Sequence, residues 1–443
     1  MGATVGDLGS TDIGEAMGGQ SVLLISFYPT HPPNGGRMVR LFQLARAIRQ
    51  IGYRPILLYQ DFVGGDHHAM LDFWGPDFHF VPYRAHSPSW RIRRIMRKFI
   101  APGSRTREWG IRLLSALPKW RQRYEQGEFR IGLDDLYDAN LTLPLHEIAE
   151  REKPCAAVCL DVFTTRSLEG IPGSVLRILD TNDLYAVGRD GEEGRGALWI
   201  EMSLEDELRG YRRADLVWAI QSRDQEKIRS AAPDLEVMTV GHMVDLTPPD
   251  FESSLRSREI LLVATKHKWN LQGLRWFAAE VYPLLRQELP AQNVVVAGDI
   301  AGVLGRELPF RFLGRVSDLA PVYKRARLVI SPILGGAGLK IKNVEPMGYG
   351  KAVVSTRSAA TGLEAAEERA FLVGDGAEGF AAAVRKVMRD DALCCRLMEG
   401  AFSFAQEWNE NVLAALHASL EMTRRTNNAA LSSALTPLRS EGS

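Results

Sequence analysis

Short apolar runs alternate with longer amphipathic stretches along most of the chain. The run SVLLISF (21–27) is apolar almost throughout, which is typical of a parallel strand that is covered on both faces. After a loop, residues 38–53 carry apolar side chains at helical spacing, and RPILLYQ (54–60) follows as a second strand-like run. These three segments predict a βαβ unit that opens a doubly wound α/β domain.

The alternation stops at residues 245–259, where two prolines, three serines and mixed charges predict a linker. It restarts at ILLVAT (260–265) and continues through NVVVAG, RLVISP and AVVST, so the chain is predicted to hold two Rossmann-like domains. Ligands bind such sheets at the carboxyl ends of the strands, and we expect the site in a central cleft that both domains face. The predicted segments are a tail (1–19), an N-terminal domain (20–245) with a basic insert (87–130), a linker (246–258), a C-terminal domain (259–405), a helix (406–425) and a second tail (426–443).

Composition excludes several classes of protein. The 443 residues contain 54 basic and 54 acidic side chains, so no overall field favours nucleic acid. The four cysteines lack the density of a disulfide framework and the spacing of a zinc site, which favours a reducing cytoplasm. No apolar run reaches the length of about 18 residues that a membrane-spanning helix needs.

Residues 90–123 form the most unusual stretch, with eleven Lys or Arg, a single acid (Glu108) and four aromatic side chains. A basic, aromatic, amphipathic segment suits an anionic membrane surface, and it predicts a peripheral position at the inner face of the membrane. A solvated basic face of the insert is the alternative. Nucleic-acid contact is disfavoured by the neutral overall charge and the lack of a reader motif.

The stretch GGAGLKIKNVEPMGYGKAVVST (335–356) combines three glycines, two spaced lysines and a glutamate just before a predicted helix. A helix start offers unpaired N–H groups and a positive dipole end to a diphosphate, and glycines let the diphosphate approach closely. Lys340 and Lys342 suit the charge of the departing phosphates, and Glu345 suits two ribose hydroxyls. Pro346 is tolerated in a first helical turn, which predicts Asn343 as the N-cap. An ordinary glycine-rich turn with solvated lysines is the alternative.

This stretch resembles the donor-site signature of retaining GT-B glycosyltransferases of family 4. SFYPTHPPNGGRMVRLFQLARAI is similar to the opening strand, Gly-Gly loop and helix of that family, and LLVATKHKWNLQGLRWFAAEVYPLLR resembles the start of its second domain. The resemblance covers residues 20–425. It implies transfer of a sugar from a nucleotide-diphosphate sugar to a glycan, lipid-linked or small-molecule acceptor, with retention, no metal and no bound cofactor.

One position departs from the family pattern. The family commonly has two glutamates separated by seven residues, and Ala337 stands in place of the first, which contacts the donor sugar. A methyl group accepts no hydrogen bond, so the sugar is expected to be held by backbone amides near Gly338 and Leu339 or by other residues.

Other candidates carry weaker signals, and packing, capping or solvation is the alternative for each. Gly35 and Gly36 open the first helix and permit close backbone approach to a ligand. Lys266 and Lys268 follow the first strand of the second domain, where the family often has a basic residue. Asp161 stands where relatives carry a cleft histidine, whereas His242 is interpreted as a packed histidine. The candidates for acceptor binding are Asp180, Asn182, Asp183 and Arg189.

Two other functions remain open from the sequence. The chain is compatible with a GT-B epimerase that acts on a nucleotide sugar without an acceptor. It is also compatible with a catalytically silent protein that binds a nucleotide sugar, because Ala337 and the missing histidine depart from the family pattern.

Overall fold

The protein consists of two compact α/β units in a computed structural model. The first unit comprises residues 1–219, 225–238 and 416–443, and the second comprises residues 220–224 and 239–415. The structure describes residues 20–33, 35–62, 64–82, 132–187, 202–305, 307–316, 318–335 and 341–434, with side chains as far as 422. Among these residues, no helix combines the length and apolarity needed to cross a bilayer.

The first unit is built on a seven-stranded sheet with the order β3-β2-β1-β4-β5-β6-β7. Its strands are β1 (Ser21–Ser26), β2 (Arg54–Gln60), β3 (Phe78–Val81), β4 (Ala156–Leu160), β5 (Leu176–Asp180), β6 (Leu216–Ala219) and β7 (Val237–Thr239). Its helices include α1 (Gly36–Gln50), α2 (His67–Trp74), α3 (Thr142–Glu152), α4 (Leu204–Tyr211) and α5 (Ser222–Ala231). A 3-10 helix follows β4 at Val162–Gly170.

The second unit repeats this plan with six strands in the order β10-β9-β8-β11-β12-β13. These strands are β8 (Glu259–Val263), β9 (Asn293–Ala297), β10 (Arg311–Gly314), β11 (Leu328–Ser331), β12 (Ala352–Ser355) and β13 (Phe371–Val373). The helices are α6 (Phe251–Arg256), α7 (Lys268–Trp276), α8 (Tyr282–Glu288), α9 (Ala301–Leu304), α10 (Ala320–Arg325), α11 (Ile341–Gly348), α12 (Gly376–Arg389) and, as far as residue 415, α13 (Asp391–Ala434). The rest of α13 belongs to the first unit. A π-helical turn, Phe277–Val281, joins α7 to α8.

Both sheets have the strand order expected of a Rossmann-like domain. In each unit the first strand lies between its second and fourth strands in parallel register, as β1 does between β2 and β4 and β8 between β9 and β11. The prediction of two doubly wound parallel sheets is therefore confirmed. The order reverses beside β1 and β8, so the crevice that opens there is the expected ligand site of each unit.

Continuous apolar runs form these sheets because both faces are covered. All six residues of β1 are buried, as are the last six of β2, and their side chains pack with those of α3 in one core, while α1 contacts β2. In the second unit, β8, β9 and β11 contribute buried aliphatic side chains to cores on both sides of the sheet. Burying each such side chain contributes roughly 1.5–3 kcal/mol, which holds the strand ends rigidly in place.

The structure differs from the predicted segments in three places. The short edge strand β3 was not anticipated, and its mixed burial explains why it lacks a continuous apolar pattern. Residues 246–258, predicted as a linker, contain α6, whose first turn is capped by the Asp250 carboxylate. Helix α13 is longer than the helix predicted at 406–425 and extends through 426–434, because no glycine or proline interrupts it after Gly400.

Candidate functional site

The crevice of the first unit contains a polar cluster centred on Arg37, near the start of α1. One terminal nitrogen of its guanidinium lies 3.0 Å from the Asp161 carboxylate and also donates to the Tyr28 hydroxyl. The other donates to Asp183 at 2.7 Å and to the Tyr185 hydroxyl at 2.6 Å. We call these five residues the Arg37 cluster. Its outer carboxylate, Asp183, is 58% exposed, whereas Asp161 is fully buried.

Asp161 directly follows β4 and has an unusual backbone conformation, with φ at +93°. A residue with a side chain rarely adopts this conformation, and such strain concentrates at functional sites. Its carboxylate accepts a second hydrogen bond from the Tyr185 hydroxyl at 2.9 Å. Burial raises the pKa of Asp161 to about 6, although the Arg37 charge opposes this shift. The side chain is enclosed, and its carboxylate contacts Arg37 and Tyr185. The catalytic role of Asp161, in place of the cleft histidine of relatives, stays a prediction.

A second ion pair, between Arg40 and Asp180, lies beneath the Arg37 cluster. The Arg40 guanidinium donates to both Asp180 oxygens, at 3.1 and 2.9 Å, and both side chains are almost completely buried. Asn182, in the left-handed region with φ at +53°, donates to the same carboxylate at 3.4 Å. Asp180 was a candidate for acceptor binding, but its oxygens are occupied by Arg40. It therefore fixes α1 against β5, and Asp183 remains the carboxylate that can face a ligand.

A buried glutamate on α4 anchors the segment that carries Tyr185. The Glu207 carboxylate, with no exposure, accepts hydrogen bonds from the backbone N–H groups of Tyr185, Ala186 and Val187. It also accepts one from the Tyr211 hydroxyl at 2.7 Å. A buried carboxylate with four donors is fully satisfied, so it holds the segment rigidly. Sequence reasoning missed Glu207, because the glutamate sits in an amphipathic helix like any other acidic residue.

In the second unit, close backbone packing shapes the loop that follows β11. A Cβ added to Gly273 of α7 would lie 2.0 Å from the Pro332 carbonyl oxygen, and one added to Gly335 would lie 2.7 Å from the Trp269 ring. Only glycine fits these two positions without displacing backbone or ring. The beginning of the glycine-rich loop therefore lies against α7.

Helix α11 carries Lys342 and Glu345, the two predicted nucleotide contacts of the glycine-rich stretch that the structure describes. The Lys342 ammonium nitrogen is buried and has no hydrogen-bond partner among the described residues. Burial lowers the pKa of Lys342 from 10.5 to about 8. Glu345 is half-buried and accepts one hydrogen bond, from the Tyr323 hydroxyl at 3.2 Å. Burial raises the pKa of Glu345 to about 6, so both side chains are mainly charged at pH 7.

The prediction of Asn343 as an N-cap is wrong. Asn343 is the third residue of α11, fully buried, and its amide nitrogen donates to the Ser355 hydroxyl and to the Ala359 carbonyl. The helix therefore begins earlier than expected, and Pro346 lies inside it rather than in the first turn. The side chain of Asn343 fastens α11 to the end of β12, which places the neighbouring Lys342 and Glu345.

The remaining lysine candidates lie on the surface after β8. The backbone N–H of Lys266 donates to the Asp299 carboxylate at 2.9 Å, and the charge of Asp299 acts on Lys342. Lys268 is the first residue of α7, and its ammonium lies 4.5 Å from the centre of the Trp269 ring. Both side chains are exposed, so their role in donor binding stays a prediction.

Neither glycine of the first helix is explained by packing. A Cβ on Gly35 would meet only the Met38 sulfur at 3.8 Å, and one on Gly36 would have no described atom within 4 Å. Their role in ligand approach stays a prediction.

His242 is 2% exposed, in agreement with its interpretation as a packed histidine. Several predictions fall outside the described residues: those for Gly338, Leu339, Lys340, Arg189, the departure at Ala337, the tail 1–19 and the basic segment 90–123.

A family model matches part of the chain. Residues 257–390, which contain β8 through α12, match the model of group 1 glycosyltransferases. An uncharacterised 44.6 kDa protein from the cps region of Klebsiella pneumoniae is 27% identical over 150 residues. That match covers 31% of this chain and 39% of the relative, so it spans well under half the length of the relative.

Solved structures resemble the whole chain in fold. The HepE protein of Anabaena, in complex with UDP and glucose, superposes with a TM-score of 0.57 at 14% identity, covering 91% of this chain and 99% of that one. Sucrose-phosphate synthase from Thermosynechococcus elongatus gives 0.59 at 14% identity, with 93% and 100% covered. At this identity the likeness shows the fold alone, which is that of GT-B glycosyltransferases. The fold and the family match over residues 257–390 together support a glycosyltransferase.

Proposed function

We propose that the protein transfers a sugar from a nucleotide-diphosphate sugar to a hydroxyl of an acceptor, with retention of anomeric configuration. The observation that carries this proposal is the buried ammonium of Lys342, which has no hydrogen-bond partner among the described residues and lies beside the carboxylate of Glu345. A buried charge without a partner is costly, and proteins keep such groups where a ligand supplies the partner. Both side chains lie on the helix that follows β11, next to the switch point between β8 and β11. Doubly wound sheets bind nucleotides at this point.

The two side chains have complementary tasks in this proposal. Lys342 neutralises the diphosphate as it leaves, and a donor fixed in a low-dielectric site stabilises that charge without reorganisation. Glu345 accepts hydrogen bonds from the ribose hydroxyls, since an ionised carboxylate is an acceptor only. We propose that cationic side chains, without a metal, carry this stabilisation, with Lys340 as a second lysine and the amides of Gly338 and Leu339 holding the sugar.

The Arg37 cluster is proposed to bind the acceptor. Four contacts occupy the terminal nitrogens of Arg37, so the cluster presents the exposed Asp183 carboxylate rather than a free cation. A carboxylate held in this way suits a hydroxyl donor, as a glycan, a lipid-linked sugar or a small polyol would provide. Asp161 and Tyr185 orient Arg37, and Arg37 in turn orients Asp183.

A thermal-shift panel tests donor binding. The HepE structure contains UDP and glucose on the same fold, so UDP and UDP-glucose are the first probes. ADP and GDP are the other members of the panel. A ligand that binds only the folded state raises the melting temperature, and we expect a rise with at least one member of the panel. Lys342→Ala and Glu345→Ala should abolish the rise, whereas Lys386→Ala, an exposed lysine on α12, should retain it. If no diphosphate shifts the wild-type protein, the donor site is wrong.

Turnover assays then separate transfer from the two other functions. A transferase releases nucleoside diphosphate faster when an acceptor is added. An epimerase converts the sugar nucleotide without an acceptor and leaves the sugar attached to the nucleotide. A silent binding protein shifts in the thermal assay but consumes no donor. Either of the last two results would overturn the proposal of sugar transfer.

A further inference from the structure

Tyr323 of α10 contacts Glu345 of α11 from the protein interior. The tyrosine is completely buried, and its ring stacks on Tyr349 with centroids 4.7 Å apart and planes inclined by 20°. Its hydroxyl donates to Oε2 of Glu345 at 3.2 Å. The other carboxylate oxygen of Glu345, Oε1, has no hydrogen-bond partner among the described residues.

The protonation states of this pair give the hydrogen bond a fixed direction. Burial raises the pKa of Tyr323 well above its ordinary value, so the hydroxyl stays a donor throughout the accessible pH range. Burial also raises the pKa of Glu345, and the hydrogen bond from Tyr323 opposes that rise. The tyrosine therefore helps to keep the carboxylate ionised in a partly apolar environment.

We propose that Tyr323 is a positioning residue that holds Glu345 with one oxygen engaged and the other directed to the ribose of the nucleotide. The proposal rests on the nucleotide site proposed above, and it adds the residue on which recognition of the ribose depends. The preference for a ribonucleoside diphosphate over its 2′-deoxy counterpart is the quantity that Tyr323 should control. A carboxylate that is locked on one side loses less freedom on binding than a mobile one. A site built to accept a hydrogen bond also rejects the analogue that lacks the hydroxyl.

The test compares Tyr323→Phe with the wild-type protein in calorimetric titrations with UDP and 2′-deoxy-UDP at pH 7.5. Removing the hydroxyl leaves the stacked ring in place, and we expect UDP to bind about tenfold more weakly, a change equivalent to ~1.4 kcal/mol. Binding of 2′-deoxy-UDP should change less than about twofold, so the preference for the ribonucleotide falls. Tyr349→Phe is the matched control, because it removes the hydroxyl of the stacking partner instead and keeps the ring. It should leave the preference for the ribonucleotide unchanged.

A double-mutant cycle shows whether Tyr323 acts through Glu345. In a Glu345→Gln background, Tyr323→Phe should add less than about twofold, because the carboxylate that it positions is absent. Equal losses in both backgrounds would mean that the tyrosine only supports the fold, and would overturn the proposal.

The pH dependence of UDP binding provides a readout that a purely structural role would not move. Losing the hydrogen bond raises the pKa of Glu345, so the pH at which affinity falls on the acid side should move upward in Tyr323→Phe. An unshifted acid limb overturns the positioning role while the donor site stands. If the wild-type protein binds neither nucleotide, the proposed function and this inference are both overturned.

Discussion

The two units place polar side chains at the same point of similar sheets, but they satisfy them differently. In the first unit, Arg40 and Asp180 pair through two hydrogen bonds, and Glu207 accepts four. In the second unit, the ammonium of Lys342 has no hydrogen-bond partner among the described residues, and Glu345 has one. The first arrangement is satisfied within the protein, whereas the second is the one that we propose is completed by a bound nucleotide.

The difference shows that burial of a charge has two meanings. A buried charge that makes all its hydrogen bonds rigidifies the fold. If one partner is removed, the other charge stays buried without compensation and its full desolvation penalty destabilises the protein. A buried charge without partners destabilises the empty protein and is retained for binding. Substitutions in the two units should therefore change stability in opposite directions.

The largest effect is expected for Arg40→Met. The substitution leaves the Asp180 carboxylate buried without its cation, and the free energy of unfolding of the first unit should fall by about 3–5 kcal/mol. Urea denaturation followed by circular dichroism measures the loss. Arg46→Met removes an exposed arginine from the same helix and should cost less than about 0.5 kcal/mol.

Adding Asp180→Leu to Arg40→Met should recover most of that loss, because the uncompensated charge is gone. If Arg40→Met alone cost less than about 1 kcal/mol, the pair would not be the rigid support that its geometry indicates.

Lys342→Met should have the opposite sign. The pKa of Lys342 is about 8 in the folded protein against an ordinary 10.5, so its charged form is disfavoured by folding. That penalty is complete below pH 8 and disappears as the pH rises through 10.5. We expect Lys342→Met to raise the free energy of unfolding at pH 7 by about 1–2 kcal/mol, a gain reduced by the loss of its attraction to Glu345.

Denaturation curves of Lys342→Met at pH 7 and pH 10 measure this gain and its loss at high pH. The exposed Lys386→Met is the matched control and should change stability at neither pH. A stabilised protein that no longer responds to UDP would show that the unpartnered lysine serves binding. A destabilised Lys342→Met would instead make the lysine part of the scaffold.

The strands and helices of the two units could be predicted from the sequence better than the contacts of their polar side chains. Buried parallel strands are continuous apolar runs, so their positions and the ends that bear functional groups could be predicted from local pattern alone. The Arg37 cluster could not, because it joins Arg37 to Asp183 across 146 residues of chain. Asn343 was misassigned for a related reason: a local capping rule was applied to an amide whose partners, Ser355 and Ala359, come from the next strand and loop.

The smallest effect is expected where the Arg37 cluster meets solvent. Asp183 is 58% exposed, and surface ion pairs contribute about 0–1 kcal/mol, so Asp183→Asn should lower the free energy of unfolding by less than about 1 kcal/mol. Asp161→Asn, in contact with the same guanidinium but fully buried, should cost clearly more, by about 2–3 kcal/mol. In transfer assays, Asp183→Asn should raise the KM for the acceptor and leave the Kd for UDP unchanged, since only the acceptor is proposed to meet this carboxylate. Loss of UDP affinity in Asp183→Asn would instead place donor recognition in the first unit. The proposal that the Arg37 cluster binds the acceptor and the second unit binds the donor would then be wrong.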